Sequence, residues 1–318
     1  MAYHQGFSTA APTMSTLFQG GAAARTLGNA TLAIFALGAL SACGGGDSTP
    51  PASTVSSASV AATQYGSTAV ITMSGTNLDS AGLSVTSSGC KNMTRSTTGQ
   101  LVSTATNAYY TCTISGALSG TVTIQSNGST IASPSFTVPA PMVKFHVTNG
   151  VGVNGDIILT LKAAQVPTTV DNFLAYVRSG FYDNTIFHRI AKPIGNPSQF
   201  FVMQGGGYGA TVNGALPAHK QTNASIPVET AGGNNVQWSI AMALDASSRA
   251  TSEFFINPVD NTSTLGNSFS VFGNITTGID VAQAILAAPA TCTNNTLALT
   301  IDCLPQPDVT IKTATQIQ

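Results

Sequence analysis

The sequence predicts a mainly β protein built from two successive modules. Three observations carry that prediction. Between residues 58 and 138, β-branched and aromatic residues alternate with polar ones in short runs separated by turn residues, as in strands buried on one face. Pro139-Ala140-Pro141 then interrupts the chain, and prolines stiffen linkers and end strands. From Met142 onward the order becomes strand, strand, helix, several strands, helix, strand. At 318 residues the chain has room for both modules, a leader and a tether.

Charge is sparse. Asp, Glu, Lys and Arg make up 7% of the residues and the formal net charge is −1, against roughly 25% charged residues in a typical soluble domain. That balance offers no electrostatic footprint for nucleic acid or an anionic bilayer. Hydrophobic residues still reach 43% and recur throughout, so the composition is not that of a disordered chain.

Arg25 precedes an apolar run over residues 27–42 that is too short to span a bilayer. The run ends in Leu40-Ser41-Ala42-Cys43, and small residues before a cleavage point mark a signal peptide. A cysteine at that point resembles the bacterial lipobox. The resemblance implies that residues 1–42 are removed, that Cys43 is lipidated, and that the acyl chains anchor the protein without a spanning helix. Gly44 rather than Asp after the cysteine points, by analogy with lipoprotein sorting, to the outer membrane facing the periplasm. Little positive charge precedes Arg25, so Met14 is an alternative start to Met1.

The other four cysteines fall into two separated pairs. An exported chain meets an oxidising compartment, so Cys90–Cys112 and Cys292–Cys303 are expected disulfides. Each closes a loop worth about 3 kcal/mol in the chain-entropy model. No Cys-x-x-Cys or Cys/His spacing suggests zinc, and no metal or cofactor is expected.

Residues 43–57 are rich in Gly, Ser, Thr and Pro and read as a flexible tether. In residues 58–138 the runs Ala69-Val70-Ile71-Thr72-Met73, Tyr109-Tyr110-Thr111-Cys112-Thr113-Ile114 and Gly120-Thr121-Val122-Thr123-Ile124 read as strands of a β-sandwich. Ile71-Thr72-Met73-Ser74-Gly75-Thr76-Asn77-Leu78 resembles the opening of immunoglobulin-like domains of the IPT type. This module carries no catalytic constellation and reads as a spacer or interaction module.

The third region, residues 142–315, opens with strands at 143–148 and 155–161 around the turn Asn149-Gly150. Val170, Phe173, Leu174 and Val177 then fall on one face of a helix, with Thr168 or Thr169 as cap and Gly180 at its end. A second helix is expected over 280–286, with Val281, Ala284 and Ile285 on one face, Thr276 or Thr277 as cap and Pro289 beyond it.

Between the helices lies Phe181-Tyr182-Asp183-Asn184-Thr185-Ile186-Phe187-His188-Arg189, then an insert at 190–200 whose Pro193, Gly195, Asn196 and Pro197 read as a loop, then Phe201-Val202-Met203-Gln204-Gly205-Gly206; Ser252-Glu253-Phe254-Phe255 follows downstream. This pattern resembles the cyclophilin family of peptidyl-prolyl cis/trans isomerases over nearly all of the third region. The resemblance implies a closed antiparallel β-barrel capped by two helices, a preference for proline-containing segments, and no cofactor. It implies that Arg189 is catalytic and that Gln204 supports it and hydrogen-bonds the substrate backbone. Phe201, Val202, Phe255, Leu265 and Phe269 match the positions of the proline pocket, and Ala243 and Leu244 the strand whose backbone aligns the peptide. Glu253 replaces a common glutamine and either pairs with Arg189 or orients it. Thr264 stands where cyclosporin-sensitive members carry tryptophan, which implies weak cyclosporin binding.

The chemistry suits these residue types. A prolyl bond crosses its barrier when amide resonance is lost and the nitrogen regains a lone pair. An arginine N–H can donate to that nitrogen while an apolar pocket holds the ring, and no nucleophile is needed. A hydrolase built on His188 and Asp183 would want a Gly-x-Ser-x-Gly elbow, which is absent. Gly205-Gly206-Gly207 lacks the Lys-Ser/Thr ending of a phosphate loop and reads as backbone clearance near the groove. The expected clients are extended or unfolded proline-containing segments of envelope proteins, and a monomer is expected. A non-catalytic peptide-binding chaperone and a surface-interaction lipoprotein are the alternatives.

Overall fold

The computed structural model describes residues 49–318; the leader, Cys43 and its proposed lipid lie outside the described residues. The first module holds β1 (Thr54–Ala61), β2 (Thr68–Thr76), β3 (Leu83–Ser87), β4 (Cys90–Arg95), β5 (Asn107–Ile114), β6 (Ser119–Ser126), β7 (Ser129–Ala132) and β8 (Ser135–Thr137). One sheet runs β1-β2-β5-β4; in the other, β6 pairs with β3, β7 and β8. Between them, Ile71 and Met73 of β2, Ala108 and Ile114 of β5, and Val122 and Ile124 of β6 are buried at period two. Cys90 and Cys112 join β4 to β5 with Cα atoms 5.7 Å apart.

The first strand begins at Thr54, inside the stretch assigned above to the tether. Its outward residues Ser56, Ser57 and Ser59 give it a linker-like composition, while Val55, Ala58 and Val60 pack against the core. A bulge between Val55 and Ser57 absorbs the extra serine.

The second module contains β9 (Met142–Thr148), β10 (Asn154–Leu161), α1 (Pro167–Arg178), β11 (Thr185–Pro193), β12 (Val202–Gly205), β13 (Ser239–Leu244), β14 (Ala250–Ile256), α2 (Thr262–Leu265), β15 (Val271–Thr277), α3 (Ile279–Ala287), β16 (Ala290–Asn295), β17 (Thr300–Pro305) and β18 (Thr310–Gln316). The antiparallel order β12-β14-β13-β15-β10-β9-β18-β11 closes through pairing of β11 with β12. This is the expected barrel, and closure removes its edges. Phe145, Leu159, Phe254 and Phe272 fill it. The longer helices α1 and α3 cap it, and α2 is an additional single turn.

Helix α1 buries Val170, Phe173, Leu174 and Val177 as the spacing requires, but neither Thr168 nor Thr169 caps it. The Glu229 carboxylate accepts the N–H groups of Thr168 at 3.2 Å and Thr169 at 2.7 Å instead, which also suits the positive end of the helix dipole. Helix α3 starts from Gly278 at φ +86°, not from Thr276 or Thr277, which end β15. A Cβ on Gly278 would lie 2.1 Å from the Asp156 carbonyl oxygen.

The insert at 190–200 is not a loop throughout. Its first four residues continue β11, because β17 pairs with them from Ile190 opposite Cys303 to Pro193 opposite Thr300. Hairpin β16–β17 thereby extends the sheet outside the closed barrel. Cys292 and Cys303 stand directly opposite each other across it and form the second expected disulfide.

The two modules are locked together at α1. Asp171 Oδ1 accepts the Tyr65 hydroxyl at 2.6 Å, and its Oδ2 accepts the Ser115 hydroxyl at 2.5 Å and faces Lys91 Nζ at 3.2 Å. Arg178 donates to the Tyr65 carbonyl at 3.2 Å and to Gln316 Oε1 at 2.7 Å. Burial and the bond to Asp171 raise the Tyr65 phenol well above its usual range. Among the described residues no helix is long and apolar enough to cross a membrane.

Candidate active site

Arg189 projects from β11 with about a quarter of its side chain exposed. Register places it opposite Gln204 of β12, which in turn lies opposite Phe255 of β14. The guanidinium donates from Nη1 to Gln204 Oε1 at 3.0 Å, from Nε to Asp302 Oδ1 at 2.8 Å, and from Nη2 to Thr300 Oγ1 at 3.4 Å.

Gln204 passes the chain onward, its Nε2 donating to Glu253 Oε2 at 2.6 Å. Glu253 also faces His219 Nε2 at 2.8 Å and His188 Nε2 at 3.5 Å. Burial alone would raise this carboxyl; hydrogen bonds from His188, His219 and Gln204 outweigh burial and hold it well below the usual carboxylate range. Glu253 does not touch Arg189. It accepts from the Gln204 amide, whose oxygen faces the arginine. A Cβ on Gly207 would lie 2.5 Å from the Glu253 carboxylate, so this glycine clears space for Glu253 rather than for a peptide. His188 is buried, packs edge-on against Tyr208 with centroids 4.7 Å apart, and is not paired with Asp183, whose carboxylate accepts the Ala314 N–H.

Beside this network lies an apolar cluster separate from the barrel core. Ala191, Val202, Ala241, Phe255 and Val271 are buried in it, and Phe201, Ala243, Leu265 and Phe269 pack half-buried against it. Phe255 and Phe269 meet edge to face with centroids 5.2 Å apart. Asn261 Nδ2 donates to the Phe201 carbonyl at 2.6 Å and fixes that wall. The structure thus gathers Phe201, Val202, Ala243, Phe255, Leu265 and Phe269 into one apolar cluster. Leu244 does not join them. Alternate residues of a strand point to opposite faces, and Leu244 packs on the main core. Thr264 is exposed next to Leu265.

A model of the family described as cyclophilin type peptidyl-prolyl cis-trans isomerase/CLD matches residues 142–316. The chain belongs to the cyclophilin family. Its cyclophilin domain is 40% identical over 142 residues to peptidyl-prolyl cis-trans isomerase cyp18 of Streptomyces antibioticus, covering 41% of this chain and 77% of that protein. It is 36% identical over 155 residues to peptidyl-prolyl cis-trans isomerase B of Escherichia coli, covering 45% and 83%. A solved cyclophilin type isomerase from Cryptosporidium parvum aligns at 20% identity and a TM-score of 0.41, over 57% of this chain and 99% of its own. This cyclophilin is a peptidyl-prolyl cis-trans isomerase.

Four residues of the cyclophilin site escaped the sequence reading: Asp302, Thr300, His219 and Asn261. Asp302 and Thr300 reach Arg189 from 113 and 111 residues away, and no local motif marks them. His219 lies in the long connection between β12 and β13 with no periodicity around it.

Proposed function

We propose that Arg189 stabilises the twisted amide of an Xaa-Pro bond while Phe201, Val202, Phe255, Leu265 and Phe269 grip the proline ring. The observation that carries this reading is a fixed guanidinium beside an apolar cluster set apart from the barrel core. Proline enters the pocket; the carbonyl side rotates; a guanidinium N–H donates to the nitrogen as its lone pair reappears. The interaction is strongest at the twisted state, so it lowers the barrier rather than only tightening binding. Gln204 orients the arginine, and the backbone of β13 at Ala243 and Leu244 aligns the peptide.

The clients are extended or unfolded proline-containing segments of exported proteins. The lipobox-like Leu40-Ser41-Ala42-Cys43 and the two paired cysteine sets support an envelope location with a lipid anchor on Cys43. A coupled prolyl isomerisation assay on wild type and Arg189→Ala tests the reading. Loss of one preorganised donor is worth about 10²-fold or more in kcat/KM. An Arg189→Ala protein that turns over at the wild-type rate overturns it.

A further inference from the structure

We propose that Asp302, carried on the disulfide-stapled hairpin β16–β17, is the positioning residue that aims Arg189 at the substrate. This inference rests on the catalytic reading of Arg189. A guanidinium has five N–H groups. Three are engaged, by Asp302, Gln204 and Thr300. Among the described residues the remaining two, one on each terminal nitrogen, have no protein partner. The Nε–H is the one that Asp302 takes, at 2.8 Å. Fixing Nε fixes the guanidinium plane, and with it the direction of the two N–H groups left for the amide.

The carboxylate is itself held. Its Oδ1 also accepts the Thr300 hydroxyl at 3.0 Å, and its Oδ2 accepts Asn295 Nδ2 at 3.1 Å. Both partners belong to the same hairpin, which thus supplies two of the three groups that engage Arg189, Gln204 of β12 being the third. Thr300 and Asp302 share a face of β17, while the intervening turn of the strand sends Cys303 to the other. Cys303 is buried and bonded to Cys292, directly opposite on β16. A slip of one residue in that pairing would carry Asn295 away from Asp302; the disulfide forbids it. The strand is placed on β11 by pairing that runs from Ile190 to Pro193, immediately after Arg189. The longer β11 and the hairpin therefore form one device, whose product is the orientation of a single side chain.

The test is steady-state prolyl isomerisation of a proline-containing tetrapeptide by the full chain, with Asp302→Ala, Asp302→Asn, Arg189→Ala and the double variant Asp302→Ala/Arg189→Ala. Asp302→Ala should lower kcat on the order of 10-fold, since misaimed groups cost rates of that size, with KM changed less than about twofold. Asp302→Asn keeps an oxygen acceptor for Nε and should recover most of the rate. In the Arg189→Ala background Asp302→Ala should cost nothing further. Wild-type kcat in Asp302→Ala, or a loss that persists in full without Arg189, overturns the positioning role. If Arg189→Ala itself keeps the wild-type rate, the catalytic reading falls and this inference with it. A collapse in Arg189→Ala beside a normal Asp302→Ala overturns the inference alone.

Discussion

Replacing Glu253 by glutamine exchanges one oxygen for an NH2 group at constant volume, and the site responds through His219. Both ring nitrogens of His219 face acceptors: Nδ1 lies 2.8 Å from the Lys220 carbonyl and Nε2 lies 2.8 Å from Glu253 Oε1. Only the imidazolium donates to both. The bond to Glu253 accordingly raises the His219 pKa against the opposing effect of burial. The other groups at this ring are Tyr208, edge-on at 5.0 Å, and His188 across the shared carboxylate. A histidine whose folded pKa is raised contributes stability that is fully present below its unfolded value, about 6.5, and is lost as pH rises through the folded value. Glu253 runs the other way: its depressed pKa contributes above about 4.3 and is lost only as pH falls through the folded value. At pH 5.5 both charges stand. In Glu253→Gln the new NH2 can donate to a neutral His219, and the charge-dependent part disappears. A charge-assisted hydrogen bond contributes about 1.5–3 kcal/mol. The His219 side chain is 35% exposed, and solvent screening reduces the figure to about 1 kcal/mol. For a chain of this size that is a Tm difference of about 2–4 °C. Thermal unfolding of wild type and Glu253→Gln at pH 5.5 and pH 9 should show the variant's deficit larger by that amount at pH 5.5. A deficit that is equal at the two pH values, or larger at pH 9, refutes the reasoning.

Asp171→Ala removes the acceptor shared by Tyr65 and Ser115 at the module junction. Two hydrogen bonds to a partly buried carboxylate are worth about 2–4 kcal/mol, so Tm should fall by roughly 5–10 °C while isomerase kcat/KM stays within twofold; an unchanged Tm counts against the lock. Thr264 offers no indole beside Leu265, so cyclosporin should inhibit weakly; sub-micromolar inhibition in the isomerase assay would falsify this.

Residues that signal through their neighbours in sequence were legible. Phe173 and Val177 declared a helix face by spacing, and local motifs picked out Phe201, Gln204 and Phe255, which lie together near Arg189. What depended on distant partners was not. Glu229 caps α1 from 60 residues away. The role of Glu253 turns on which neighbour it faces, which no spacing encodes. The hairpin β16–β17 was invisible because Ala290–Asn295 is almost wholly exposed and carries no alternating apolar signal. Asp302, on its partner strand, was therefore lost as well. The insert after Arg189 read as a loop because a strand needs its partner to be recognised, and the partner was missing.

The junction at Asp171 and Arg178 has a mechanical meaning. Tyr65, Ser115 and Lys91 hold the helix that caps the barrel, so these contacts set the angle between sandwich and barrel. Strand β1 begins the sandwich at Thr54. Lengthening the segment before Thr54 would leave these contacts, and with them the angle between sandwich and barrel, unchanged.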